Sequence, residues 1–293
     1  MRLRITHETA YRYATPASSV IQILRMEPRS HEGQFVVDWR VELDRDARLQ
    51  QSPDAFGNTV HSFALSGPLE SLTVVATGEV ETDDTAGIVR GQVERFPSTV
   101  FLRDTRLTEA DDAIRAFAAE VAAPSGDRLD LLHRLNAGIR ERMTFDTRPT
   151  DATTPATEAF AARKGVCQDY AHIFIAATRH LQIPARYVSG YLFQAGSEVQ
   201  EAGHGWAEAL VDGIGWVAFD PANGVCPTEG YVRVAAGLDY LGAAPVRGSR
   251  HGGTGETLAV RVRVEDASIR SPAPVNPGGS QSQSWLQDAR KPI

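Results

Sequence analysis

The chain has 293 residues, of which 42% are hydrophobic and 23% charged, and its formal net charge is -7. That balance fits one large folded domain or two ordinary ones and excludes a chain disordered over most of its length. The negative charge leaves no broad cationic face for nucleic acid and gives acidic substrates no general steering, although it does not describe any single cleft.

No stretch reaches the roughly 20 consecutive apolar residues of a membrane-spanning helix. The opening residues, Met1 to Glu8, put charge where a secretory leader carries its apolar segment. The two cysteines, Cys167 and Cys226, are too few for a disulfide framework. Together these features predict a cytoplasmic protein with no membrane and no nucleic-acid partner. A disulfide between the two cysteines stays open at this point, and it would silence either thiol.

In chain order, alternation comes first. Arg2 to Thr9, Val36 to Leu43 and Ser71 to Glu81 each read as half-buried strands, and Asp54-Ala-Phe-Gly-Asn58 reads as a turn between two of them. Residues 1–105 are therefore expected to form an antiparallel sheet or sandwich. His7, His31 and His61 are scattered through it and suggest packing or surface roles.

Near residue 105 the period changes. Thr108-Glu-Ala-Asp111 has the form of a helix start, with a hydroxyl cap and an acid three residues on. Ile114, Phe117, Ala118 and Val121 follow at helical spacing, and Pro124-Ser-Gly126 ends the run. A second helix is expected from about Asp127 to Met143, with an apolar stripe through Leu129, Leu132, Leu135 and Ile139 that reads as core. Thr147 to Thr157 reads as a surface loop. A helix then runs from Cys167 to about Leu181, followed by strands at Ala185–Leu192, His204–Val211 and Gly215–Asp220, and a late strand at Thr257–Val264. Residues 271–293, rich in Pro, Gly, Ser and Gln, are expected to be a flexible tail.

Cys167 follows Gly165-Val166 at a helix start, where backbone N–H groups favour a thiolate and can hold an oxyanion. A nucleophilic thiol needs a base, and the base needs an orienting group. His204 opens one strand, Asp220 closes the next, and Gly213-Ile214-Gly215 between them looks like a hairpin turn, which would bring the two to the same end. Each residue alone is more often structural. The three types in a helix-then-two-strands order point to Cys-His-Asp chemistry.

Four blocks, Gly165-Val-Cys-Gln-Asp-Tyr-Ala171, Ile183 to Tyr191, His204-Gly-Trp-Ala-Glu208 and Gly215 to Pro221, closely resemble the bacterial transglutaminase-like family and occur in its order. Tyr11-Arg-Tyr13, Arg25-Met-Glu-Pro-Arg29 and Asp54 to Asn58 look like that family's N-terminal β domain. The resemblance implies an α+β fold: an N-terminal antiparallel β domain over 1–105, then a papain-like transglutaminase core over 106–270. It implies Cys167 as nucleophile, His204 as base and Asp220 as third member, acting on peptide or protein amides through a thioester. Hydrolysis is favoured slightly over transfer to an amine, and a non-catalytic binding protein that keeps the fold is the opposing class. The family usually has Ala where Gly205 stands and Val where Ala207 stands.

Gln168 and Trp206 are further candidates for substrate contact. Gln168 and Asp169 fit capping or charge–dipole roles equally well, and Trp206 and Trp216 fit either the cleft wall or, more readily, the core below it. Glu208 shares a strand face with Trp206 and His204 and could pair with Arg186. Cys226 lacks a helix-start setting and is expected to be inert. The spacing of His172 and His180, and the absence of paired Cys or His motifs, predict no metal, and no cofactor is expected.

Overall fold

The alternating residues at the start of the chain form strands much longer than the alternation alone predicts. The computed structural model describes residues 1–123, 126–148 and 150–268. In it β1 runs Arg2–Glu27, β2 Gln34–Leu43, β3 Gln50–Pro53, β4 Thr59–Thr82 and β5 Ile88–Val89. Along β1 the buried positions are first odd (Leu3, Ile5, His7, Thr9) and later even (Val20, Gln22, Leu24, Met26). The register against β4 shifts between Arg12 and Ala17 and again between Ala17 and Ser19. Such irregularities change which side chains face inward, so one strand serves two cores.

After these come α1 (Asp112–Ala122), α2 (Arg128–Arg142), β6 (Thr144–Phe145), α3 (Ala156–Ala162), β7 (Lys164–Gly165) and α4 (Cys167–His180). Asp111, not Thr108, caps α1, its carboxylate accepting from Ile114 N at 2.9 Å. The Thr108 hydroxyl instead accepts from Arg179 Nη1 at 2.7 Å, a long-range contact that local spacing cannot show. Asp127 caps α2 in the same way. Pro124, Ser125 and the proposed tail at 271–293 lie outside the described residues.

The remaining elements are β8 (Ala185–Leu192), β9 (Val199–Gln200), β10 (His204–Val211), β11 (Gly215–Phe219), β12 (Tyr231–Gly237), α5 (Tyr240–Ala243), β13 (Val246–His251) and β14 (Glu256–Asp266). They build two larger antiparallel sheets, and each borrows from the other's stretch of sequence. The first has the order β2-β4-β1-β14-β9, with β13 also on β1 and β3 on β4. The second has the order β12-β8-β10-β11-β5. Leu3 and Ile5 of β1 and Val262 and Val264 of β14 are fully buried in the same cluster as Phe174 of α4 and Phe219 of β11. The architecture is the expected α+β one, with α4 at its centre: every residue from Gln168 to Arg179 is buried. A helix buried on all sides is a core helix, even though this one carries Asp169, His172 and Arg179.

β12 is the edge of the second sheet, and two amide side chains from the first stretch of chain close it. Gln34 donates to Arg233 O at 2.9 Å and accepts from Arg233 N at 2.8 Å. Asn58 donates to Ala236 O and accepts from Ala236 N, both at 2.8 Å. Each amide takes the place of a strand residue and satisfies backbone groups that would otherwise be exposed.

Candidate active site

Cys167 is the first residue of α4. Val166 before it offers no side-chain cap, so the cap comes from within: Asp169 Oδ2 accepts from Val166 N at 2.8 Å and from the Thr150 hydroxyl at 2.8 Å. Gly165 is required for this, because a Cβ there would collide with the Asp169 carboxylate. Asp169 thus takes the capping role. The first backbone bond of the helix runs from Asp169 N to Val166 O at 2.9 Å. The N–H groups of Cys167 and Gln168 precede that bond and remain available for an anion.

The β10–β11 hairpin supplies the other two groups. Ala207 pairs with Phe219, which brings the start of β10 and the end of β11 together. His204 Nε2 donates to Asp220 Oδ2 at 2.7 Å. Asp220 is fully buried and accepts from four further donors: Ala222 N, Asn223 N, Asn223 Nδ2 and the Tyr231 hydroxyl, at 2.7 to 3.2 Å. Burial alone would raise its pKa. The bond from His204 and its charge, helped by Asn223 and Tyr231, hold the carboxyl below its ordinary range instead.

With Nε2 committed to Asp220, the other ring nitrogen of His204 is left for the cleft whose wall it shares with Cys167. Burial works to lower the pKa of His204. The negative charge of Cys167, the bond to Asp220 and the bond to Cys167 outweigh it and raise the imidazole to about 10. The arrangement therefore favours an imidazolium beside the Asp220 carboxylate. Cys167 and Cys226 are both free thiols. Cys226 lies away from any helix start, and burial pushes its thiol up to about 11, which disfavours the reactive thiolate.

Cys167 and His204 open into a cavity of about 170 Å³ whose walls include Gln168, Tyr187, Tyr240 and Arg25. Gln168 Nε2 is buried there without a hydrogen-bond partner among the described residues. Burial, together with the charge of Cys167, keeps the Tyr187 phenol well above its ordinary pKa and so protonated. A Cβ at position 205 would collide with the Tyr187 hydroxyl. Glycine in place of the usual alanine thus leaves that hydroxyl room beside His204.

Trp206 is not in this wall. It is 2% exposed, its ring lies parallel to that of His204 at 6.1 Å, and it lines a separate cavity with Glu208 and Arg233. Side chains two apart on a strand share a face, so Trp206 backs the imidazole and does not meet the contents of the cleft. Glu208 on the same face accepts from Arg186 Nε at 2.6 Å and from Arg233 Nε at 2.7 Å. Three contributors are not evident from local sequence. Tyr231 and Arg25 reach the site from distant strands, and Tyr187 owes its place to a glycine. Asn223, three residues after Asp220, has the spacing of an Asx-type turn that could have revealed it.

A helix-borne thiol facing an imidazole–carboxylate pair on two neighbouring strands defines the papain-like class of thiol folds. Within that class the chain belongs to the transglutaminase-like superfamily: residues 115–221 match that family and residues 3–81 match the bacterial transglutaminase-like N-terminal region. It is 30% identical over 278 residues to the uncharacterized protein ML0607 of Mycobacterium leprae, covering 90% of this chain and 98% of that one. It is also 30% identical over 272 residues to the uncharacterized protein Rv2569c of Mycobacterium tuberculosis, covering 84% and 87%. A Cytophaga hutchinsonii crystal structure, of a candidate cysteine protease, superposes with a TM-score of 0.74 at 22% identity over 92% of each chain.

Proposed function

We propose that the protein is a cysteine-dependent acyl-transfer enzyme acting on peptide or side-chain amides of peptides and proteins, with Cys167 as nucleophile, His204 as acid and base, and Asp220 as the group that orients the imidazole. The observation that carries this reading is the His204–Asp220 bond of 2.7 Å in a cavity wall that His204 shares with Cys167. The Cys167 thiolate attacks the amide carbonyl. The oxyanion that forms lies within reach of the free N–H groups at the start of α4, with Gln168 Nε2 as a further donor. The C–N bond breaks as the His204 imidazolium protonates the departing nitrogen, leaving a thioester on Cys167. The imidazole then takes a proton from the second nucleophile as it attacks the thioester.

Water as that nucleophile gives hydrolysis, which we favour, and an amine gives transfer. Two free thiols fit a reducing compartment, and we place the reaction in the cytoplasm. Among the described residues no helix is long and apolar enough to cross a membrane. The test is mass spectrometry of peptides with internal Gln, incubated with a labelled amine and either the protein or its Cys167→Ala variant. Cleaved or deamidated peptide that requires Cys167 establishes the hydrolase, and label joined to Gln establishes the transferase. Equal, slow alkylation of Cys167 and Cys226 by iodoacetamide would count against both and favour a binding protein.

A further inference from the structure

The motifs Arg25-Met-Glu-Pro-Arg29 and Asp54-Ala-Phe-Gly-Asn58 belong to the first sheet, yet one of their residues reaches the cleft. Arg25 of β1 lines the same cavity as Cys167 and His204. Of the described residues in that wall it is the one charged side chain apart from the Cys167–His204 pair, and no carboxylate shares the wall with it. Its backbone N–H donates to Pro245 O at 2.7 Å, and Pro245 is itself part of the wall.

The guanidinium is held from behind. Arg25 Nε donates to Asp54 Oδ2 at 3.0 Å, and the two side chains are 14% and 16% exposed. Asp54 has no further capacity for it. Its Oδ1 accepts from Phe56 N and Asn58 N, and its Oδ2 also accepts from Asn58 Nδ2. Arg25 Nη1 is withdrawn from solvent and donates to nothing among the described residues. A purely structural buried arginine in the same molecule looks different. Arg179 gives Nε, Nη1 and Nη2 to the carbonyls of Phe101, Ala185 and Leu238 and to the Thr108 hydroxyl. Arg25 is held by one side-chain bond and keeps Nη1 unspent in the wall of the Cys167 cavity.

We propose that Arg25 is an anion subsite of the cleft, which selects acyl donors carrying a carboxylate near the scissile amide. This rests on the acyl-transfer reading above. A guanidinium whose Nε is fixed presents its remaining N–H groups in one plane, the geometry that receives a carboxylate. In a cavity partly closed to water that interaction is stronger than at the surface. The carboxylate comes either from an Asp or Glu side chain or from a free C-terminus, and the shared chemistry is a carboxylate at fixed reach from the reacting carbon.

The experiment uses alkylating probes on the full chain, so that no natural substrate is needed. Iodoacetyl-glycine is compared with iodoacetyl-glycinamide, and iodoacetyl-glutamic acid α-amide with iodoacetyl-glutamine α-amide. In each reaction Cys167 Sγ forms a bond to the probe carbon as iodide leaves, and mass spectrometry reads the rate at Cys167 and at Cys226. In the wild type the acid outpaces its amide at Cys167 by about tenfold in one pair, and that pair tells a terminal from a side-chain carboxylate. In Arg25→Gln the acid-to-amide ratio falls to about one, and Arg25→Lys restores part of it. The ratio within each protein cancels any general loss of reactivity. Ratios at or below one in both pairs for the wild type overturn the subsite even if Arg25→Gln does not fold. A ratio unchanged in Arg25→Gln also overturns it and assigns the preference to His204. Neutral amides that label Cys167 no faster than Cys226 would remove the nucleophile reading, and the subsite with it.

Discussion

The open end of the β10–β11 hairpin and its middle each bury a carboxylate completely, Asp220 at the end and Glu208 between Arg186 and Arg233. The two solve the same electrostatic problem differently. Glu208 is neutralised by two guanidiniums, one of which also lies 3.9 Å over the Trp216 ring, and they hold its carboxyl well below the ordinary range. Asp220 is met mainly by neutral donors, and its single charged partner is an imidazole that can give up its proton. A carboxylate fixed by arginines holds strands together. One fixed by amides and a phenol leaves its histidine free to change state.

The sharpest way to break this comparison is to neutralise each acid. Asp220→Asn is expected to lower Cys167-dependent turnover by about 10³-fold while the protein stays folded, as read by single-turnover product formation and circular dichroism. Glu208→Gln is expected to do the reverse. It leaves Arg233 without its buried counter-charge and Arg186 with the half-exposed Glu94 alone, and costs about 3 kcal/mol of unfolding free energy in denaturant titrations. A large turnover loss in a stably folded Glu208→Gln protein would erase the distinction.

Acid provides a milder version of the same test. The pKa of Glu208 is lowered from 4.5 to about 2 because its two arginines overcome the penalty of burial. A depressed carboxylate contributes stability above its unfolded pKa and loses it as pH falls. About 3 kcal/mol should therefore disappear between pH 4.5 and about 2. Glu208→Gln should lack this component of acid unfolding.

A further test concerns His204. Its imidazolium, raised from 6.5 to about 10, contributes stability below pH 6.5 that is lost as pH rises towards about 10. Removing the thiolate in Cys167→Ala takes away the largest upward influence and leaves burial opposed by Asp220 alone. NMR titration of the His204 ring should then show a lower pKa and an earlier alkaline loss of stability. An unchanged pKa would mean that Cys167 and His204 do not share the proton.

Much of the second half of the chain was legible because its elements are bounded by strong local signals. Ala185–Leu192 and His204–Val211 are nearly continuous apolar runs set off by Pro184 and glycines, and both form strands over those residues. What could not be read depends on partners far along the chain. β12 contains Arg233 and lacks a clean alternation, and its edge is completed by Gln34 and Asn58. The cap at Asp111 lost to Thr108 in the pattern because both fit local rules, and a contact from Arg179 decides between them. At the site, residue types and order indicated Cys167, His204 and Asp220. The supporting Tyr231, Tyr187 and Arg25 carry no local mark of chemistry.

The pairing of β1 with β14 has a consequence for how the protein is made. Leu3 lies opposite Asp266 and Tyr13 opposite Glu256, so the first described strand waits, as the chain is synthesised, for the last described one. At about 5–20 residues per second the interval is on the order of ten to fifty seconds. Through that time the β14 side of β1 is an unsatisfied edge on a nascent chain, while β4 has long since covered the other side. Completion of this sheet thus waits for residues 256–266, and a ribosome stalled before residue 256 would display an adhesive strand edge.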